Sequence, residues 1–284
     1  MAIKRILVPV DASPNSIAAL ETAAELASLQ KAELLGLFVE DHDLLRYSDY
    51  GFASEVSLSS CRLRSVDKGQ LELQMRARAE RMRSALARAG EKWNVPWQFR
   101  VSRGGVTSLI LDASSTADLT VLGKVGWSLS LGKRTGSTVR ALISSHSGLT
   151  LILQEGARLL PTVYTVFTGS ELSRSTLASI EGILRFDNFH LIVYIPETSR
   201  EAFHGLRDLA ISLLPPRARA EFRSLPSPWN ISLVQEIHRE NNTGPLILPC
   251  DGQLLQNNEM AQLVGHVSNP VLLVKGSQGA QRKD

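Results

Sequence analysis

Cysteine is almost missing from this chain: Cys61 and Cys250 are the only two in 284 residues. They fall in different halves, so neither half can close an internal disulfide, which fits a reducing compartment. So few thiols also argue against a transition-metal site. Aromatic residues are sparse, at 6%. No apolar run approaches the ~20 residues that a membrane helix needs. The formal net charge is only +3, and the basic residues are scattered, which argues against a nucleic-acid partner. The opening Met1-Ala2-Ile3-Lys4-Arg5 leads into an apolar stretch that Asp11 cuts short, too short for the core of a secretory signal. Together these absences lead to the expectation of a soluble, cytoplasmic protein with no membrane partner.

What is present is an ordinary globular composition, 43% hydrophobic and 21% charged, in a chain long enough for two domains. Ile6 to Val10 is a continuous apolar run, the signature of a parallel strand covered on both faces. Ser13-Pro14 then supplies an N-cap and a first-turn proline. Leu20, Ala23, Ala24 and Ala27 recur at helical spacing, and Leu34 to Val39 reads as a second strand. Residues 40–67 have no clear period and suggest a partly ordered loop or short helix. A long helix follows, with Leu71, Met75, Met82, Leu86, Ala89 and Trp93 on one stripe. Its arginines Arg76, Arg78, Arg81, Arg83 and Arg88 lie largely off that stripe. They are expected to be a solvated face, an anion-binding face being the lesser alternative.

Three further strands are expected at Trp97 to Val101, Leu119 to Leu122 and Leu149 to Leu153, separated by helices at Val106 to Ser115 and Thr138 to Ser145. The alternating order is that of a doubly wound sheet. After Pro161 the pattern restarts. A shift of 157 residues lays Val166 on Pro9, Thr168 on Asp11, Ser173 on Ser16 and Leu191 on Leu34 without a gap. Leu246 to Leu248 echoes Thr120 to Leu122, and Val271 to Val274 echoes Thr150 to Leu153. This is an internal repeat. The expected fold class is α/β, with two tandem doubly wound, flavodoxin- or Rossmann-like parallel five-stranded sheets. The expected domains are residues 1–155 and 161–276, with a polar tail at 277–284.

The chemistry-bearing pattern follows the fourth strand: Gly123-Lys124-Val125-Gly126, nine residues, then Gly136-Ser137. At a glycine usage of ~7%, such spacing arises by chance in about one chain of this length in a hundred. Its place at the carboxyl end of a strand, where open α/β sheets bind ligands, makes it more specific. Gly123 and Gly126 are expected to admit close approach of a ligand and positive φ. Gly136-Ser137 opens a helix whose free N–H groups attract phosphate. A structural role for these glycines in turns is the bland alternative.

At these residues the sequence resembles the universal stress protein family, whose ATP-binding members carry this glycine pattern. Pro9-Val10-Asp11-Ala12-Ser13 resembles the family's opening motif. The resemblance implies an adenine nucleotide, ATP with or without magnesium, held by Pro9, Val10, Asp11, Ala12, Val39, Leu122, Gly123, Gly126, Gly136, Ser137, Thr138 and Val139. In it, the aspartate lies at the adenosine and Val39 lines the adenine pocket. Asp11 could equally be a cap for the following helix. Lys133-Arg134 either meet phosphates or are simply exposed.

The second repeat departs from the pattern. Thr168 replaces the aspartate, Pro249 replaces the first glycine, and Asn257-Asn258 falls where Gly-Ser would lie, although Gly252 is kept. It is expected to have lost the nucleotide. Gly126 to Arg134 has a superficial P-loop look, but its spacer is one residue too long. Glu40-Asp41-His42-Asp43 is read as a solvated turn rather than a metal site. The functional expectation is a stress-response regulator binding ATP in its first domain, at most a slow ATPase. The alternative is a non-catalytic dimerisation or adaptor scaffold with a vestigial site. The family commonly pairs through its fifth strand. The two apolar fifth strands are therefore expected to pair antiparallel within the chain, a further homodimer remaining open.

Overall fold

The computed structural model describes residues 2–48, 54–56, 63–65, 67–126, 135–145, 147–197, 199–240, 243–251 and 255–276. Readings that rested on Cys61, Lys133, Arg134 and Gly252, and the polar tail at 277–284, lie outside these residues.

The first half runs β1 (Arg5–Val10), α1 (Pro14–Gln30), β2 (Glu33–Asp41), α2 (His42–Ser48), β3 (Ser54–Val56), β4 (Leu63–Ser65), α3 (Lys68–Trp93), β5 (Trp97–Gly104), α4 (Val106–Ser114), β6 (Leu119–Gly123), α5 (Ser137–Ser145) and β7 (Gly148–Leu153). The second runs β8 (Thr162–Val166), α6 (Glu171–Leu184), β9 (Phe189–Ile195), α7 (Arg200–Leu213), β10 (Ala218–Ser224), α8 (Trp229–Glu240), β11 (Leu246–Pro249), α9 (Asn257–His266) and β12 (Val271–Lys275). Segment 40–67 holds the expected short helix, α2, and a small antiparallel hairpin, β3–β4, apart from the main sheet.

The two five-stranded sheets are halves of one ten-stranded sheet, in the order β10-β9-β8-β11-β12-β7-β6-β1-β2-β5. Within each half every pairing is parallel. The halves meet where β7 and β12 pair antiparallel, with Leu151 opposite Leu272 and Ile152 opposite Val271. This is the pairing that two bare, apolar fifth strands called for. The β6–β7 and β11–β12 registers make Thr150 the counterpart of Val271. Leu151 therefore faces its own counterpart, and the pseudo-two-fold axis of the repeat passes through the Leu151–Leu272 pair.

The apolar runs form central strands because both faces are covered. Ile6, Val8 and Val10 of β1 pack into one core layer with α1 and α3, while Leu7 packs into the other with α4 and α5. Both layers continue across the centre, over α6 and α7 on one face and α8 and α9 on the other. Polar contacts tie the halves as well. The Gln30 Nε2 group of α1 donates to the carbonyls of Gly182 and Ile183 at the end of α6, each at 2.8 Å. Lys275 Nζ donates to the Ile143 carbonyl in α5.

Ile152 is 1% exposed and stands in the central pairing. Ile152→Lys should bury an unpaired charge and destabilise the whole protein by ~3 kcal/mol or more. Urea unfolding measures this; a change within ~0.5 kcal/mol would show the central pairing to be dispensable.

Candidate functional site

At the carboxyl ends of β1, β2 and β6 lies a cavity of about 730 Å³, within the range of small-molecule sites. It opens where the strand order reverses between β1 and β6, the ligand-binding crevice of open α/β sheets. Pro9, Val10 and Asp11 line it from the end of β1, and Val39 from β2. Leu122, Gly123 and Gly126 line it from the end of β6, and Gly136, Ser137, Thr138 and Val139 from the start of α5. Every residue singled out in the sequence therefore faces one space, except Ala12. That residue turns the chain from β1 into α1, with φ of 65°.

Asp11 acts as the local anchor of this turn. Its Oδ1 accepts the Ser13 N–H at 3.0 Å, and its own N–H donates to Ser16 Oγ at 3.1 Å. Ser13 in turn caps α1, accepting the Ser16 N–H at 3.1 Å. Asp11 Oδ2 lies against the Gly126 backbone, where a Cβ would come within 2.6 Å of it. The helix cap is therefore Ser13 and not Asp11, which braces the turn ahead of it and also lines the cavity.

The glycines correct one expectation. Positive φ occurs at Gly104, Gly148, Gly156 and Gly169, not at Gly123, Gly126 or Gly136. Gly123 is required by its own protein: a Cβ there would lie 2.7 Å from Asn15 Cβ and 2.9 Å from the Asn15 carbonyl carbon. Asn15, which carried no signal in the sequence, fastens this loop. Its Nδ2 donates to the Val125 carbonyl at 3.0 Å, and its Oδ1 accepts the Glu155 N–H at 2.8 Å. Lys124 is a second fastening. Its carbonyl accepts the Gly136 N–H at 3.0 Å, and its Nζ donates to the Val267 carbonyl of the second half at 2.7 Å. The loop from Gly123 to Gly126 and the start of α5 are thereby held together before any ligand arrives.

The first turn of α5 carries no acidic residue. Its N–H groups lack intrahelical partners and face the cavity with the positive end of the helix dipole. Among the described residues, three carboxylates, Asp11, Asp41 and Asp43, and one cation, Arg78, share the wall. Asp41 also caps α2, accepting the Asp43 N–H at 2.9 Å. Leu37, Val39, Ile110 and Leu111 supply an apolar wall, and Gly105 to Ser108 at the start of α4 close the far side. The α2 and α4 contributions went unread in the sequence, although both follow directly on the carboxyl ends of strands. That position was the signal available.

The corresponding place in the second half is built differently. Leu37 pairs with Pro9, and Tyr194 pairs with Val166 at the matching register. Tyr194 is fully buried and stacks on Tyr164, ring centroids 6.5 Å apart. Burial, the largest influence on it, pushes the Tyr194 hydroxyl up to about 12, so it stays neutral. Thr168, in place of Asp11, turns its hydroxyl to Ser170 and Ser173. Cys250 stands where Lys124 does in the first half. Burial pushes its thiol up to about 12, which keeps it from acting as a thiolate nucleophile.

Fold and site together define a doubly wound α/β protein with a preformed, glycine-walled cavity at its switch point. The sequence profile of the universal stress protein family matches residues 2–148, and the chain belongs to that family. No curated protein matches the sequence. A crystal structure of a universal stress protein from Archaeoglobus fulgidus is similar over 96% of this chain and 97% of that one, with a TM-score of 0.67 and 16% identity. A protein of unknown function from Pseudomonas aeruginosa is similar over 97% of this chain and 93% of that one, with a TM-score of 0.59 and 12% identity. At these identities the likeness is one of fold.

Gly123 and Gly136 should respond differently to alanine. Gly123→Ala forces Asn15 to move and should cost ~1–3 kcal/mol of stability. At Gly136 a Cβ meets no atom of the described residues nearer than 3.6 Å, so Gly136→Ala should stay within ~0.5 kcal/mol of the parent. Thermal unfolding of the two variants side by side checks the difference.

Proposed function

We propose that the cavity of the first half binds ATP or a related adenine nucleotide and that the protein is a stress-response regulator. The observation that carries this reading is the convergence of Asp11, Gly126, Gly136 and Ser137 on one preformed cavity. The residues present fit such a group. The phosphates would lie at the N–H groups of Ser137 and Thr138 in the first turn of α5, beside Gly126 and with the hydroxyls of Ser137 and Thr138 at hand. The ribose would meet Asp11, and the base the apolar wall of Leu37, Val39 and Ile110. Magnesium entering with the nucleotide would offset part of the carboxylate charge of the wall.

In this reading the chain is two stress-protein units, residues 1–155 and 161–276, of which only the first keeps the site. Supporting the loss are Tyr164 and Tyr194, whose rings take up space on the matching face, and Pro249 in place of Gly123. The nucleotide acts as a signal through its differential affinity for two conformations, and hydrolysis is at most slow. A cytoplasmic location belongs to the same proposal and rests on the scarcity of cysteine.

Calorimetric titration of the whole protein with ATP and magnesium tests the reading. Saturable binding at one site is expected; none at millimolar nucleotide would leave the scaffold alternative. Ser137→Glu sharpens the test. A carboxylate in the first turn suits the helix dipole, so thermal stability should hold or rise, while repulsion lowers ATP affinity by about tenfold or more. Unchanged affinity in this variant would take the phosphates away from α5.

A further inference from the structure

Among the described residues, the strand β5 forms one outer border of the ten-stranded sheet and pairs only with β2. The Leu34 N–H donates to the Pro96 carbonyl at 2.9 Å. The alternation of a parallel ladder then turns the backbone groups of Trp97, Phe99, Val101 and Arg103 away from β2, toward the open edge. Helix α3 runs back along this strand. A Cβ on Gly90 would lie 2.3 Å from the Trp97 ring, which shows how closely helix and strand meet there. The Arg83 guanidinium sits 5.6 Å from the centre of the Phe99 ring. Glu72 lies 3.7 Å from Arg103. Arg76, two helical turns before Arg83, shares its face and stands ~10 Å further along the strand.

The charge on this border is one-sided. Residues 68–104 hold nine Lys and Arg against three Glu, in a chain whose whole net charge is +3. Arg76 and Arg100 are exposed and make no ion pair among the described residues. The opposite border, β10, is largely self-neutralised: Arg223 pairs with Glu221 at 2.7 Å and with Glu240, and Arg217 with Glu181 at 3.5 Å.

We propose that β5 is a docking edge for an extended acidic peptide of a partner protein, which adds as an eleventh strand and sets its carboxylates against Arg76 and Arg83. Free ladder groups recognise an extended backbone, and the arginines select its charge. A nucleic acid would use the charge but not the ladder. The surface is separate from the nucleotide cavity and stands independently of it.

The probe is a fluorescein-labelled, acetylated octapeptide alternating Thr and Glu, titrated into the whole protein by fluorescence anisotropy. Saturable binding is expected, with new hydrogen-exchange protection at Trp97, Phe99, Val101 and Arg103. The double variant Arg76→Glu, Arg83→Glu should weaken it about tenfold or more. Val101→Pro removes an edge-facing N–H without touching the β2 ladder. It should weaken binding similarly while the circular dichroism stays that of the parent. A peptide alternating Thr and Lys should not bind. Full binding by Val101→Pro would rule out strand addition. Tighter binding of an eight-nucleotide oligothymidine would reassign the edge to nucleic acid. No peptide binding, with self-association of the double variant in light scattering, would mean the arginines only guard the edge.

Discussion

The antiparallel contact between β7 and β12 is the constraint on which the rest of the architecture depends. Each half is an open sheet whose fifth strand would otherwise end in bare N–H and C=O groups. Here the two edges satisfy each other, with Leu149 to Ile152 set against Val271 to Val274. Because side chains alternate along a strand, the pairing also joins the two core layers across the molecule. One layer then runs unbroken from α3 to α7 and the other from α4 to α8. The hydrogen bonds of Gln30, Lys124 and Lys275 are placed by that geometry, since each reaches a helix end that the central pairing brings near.

The repeat then shows what the fold requires and what the site requires. Positions that build the sheet keep their apolar character at the 157-residue shift, as Leu34 and Leu191 do, both fully buried. Positions that shape the cavity do not. Leu37 becomes Tyr194, Gly123 becomes Pro249, and the carboxylate of Asp11 becomes the hydroxyl of Thr168. In the second half the cap of α6 survives this last change, because Ser170 accepts the Ser173 N–H just as Ser13 accepts that of Ser16. Capping is therefore separable from whatever else Asp11 does.

The central strands were legible in the sequence for a physical reason. A strand covered on both faces is apolar nearly throughout, so β1, β6, β7 and β12 read as near-continuous runs, broken only by the buried Thr120 and Thr150. The helix starts were legible from Ser13-Pro14 and Gly136-Ser137, where capping chemistry is local. Of the elements that went unassigned, α7, β10 and α8 lie at or near the outer border, whereas α9 packs near the centre. At the border one side meets water and the apolar signal thins: α7 buries only Ala210 fully, and β10 no residue at all. The candidate site divides the same way. Its motif residues could be read because their spacing is local, whereas Asn15 could not. Its partners Val125 and Glu155 lie 110 and 140 residues away and meet it only after the sheet has ordered its strands.

Gly123 carries that lesson into the chemistry. Read locally, a glycine after a strand in such a motif is there for the ligand. In three dimensions it is there first for Asn15, which needs the space that a Cβ would fill. The two roles are linked. By letting α1 approach, Gly123 allows Asn15 to hold the Val125 carbonyl, and the fastened loop then keeps Gly126 against Asp11 and Lys124 against Gly136. A preformed cavity loses less conformational entropy on binding than one that must be ordered. In this site, then, rigidity comes from packing within the protein, and the glycine shapes the cavity through the helix it admits.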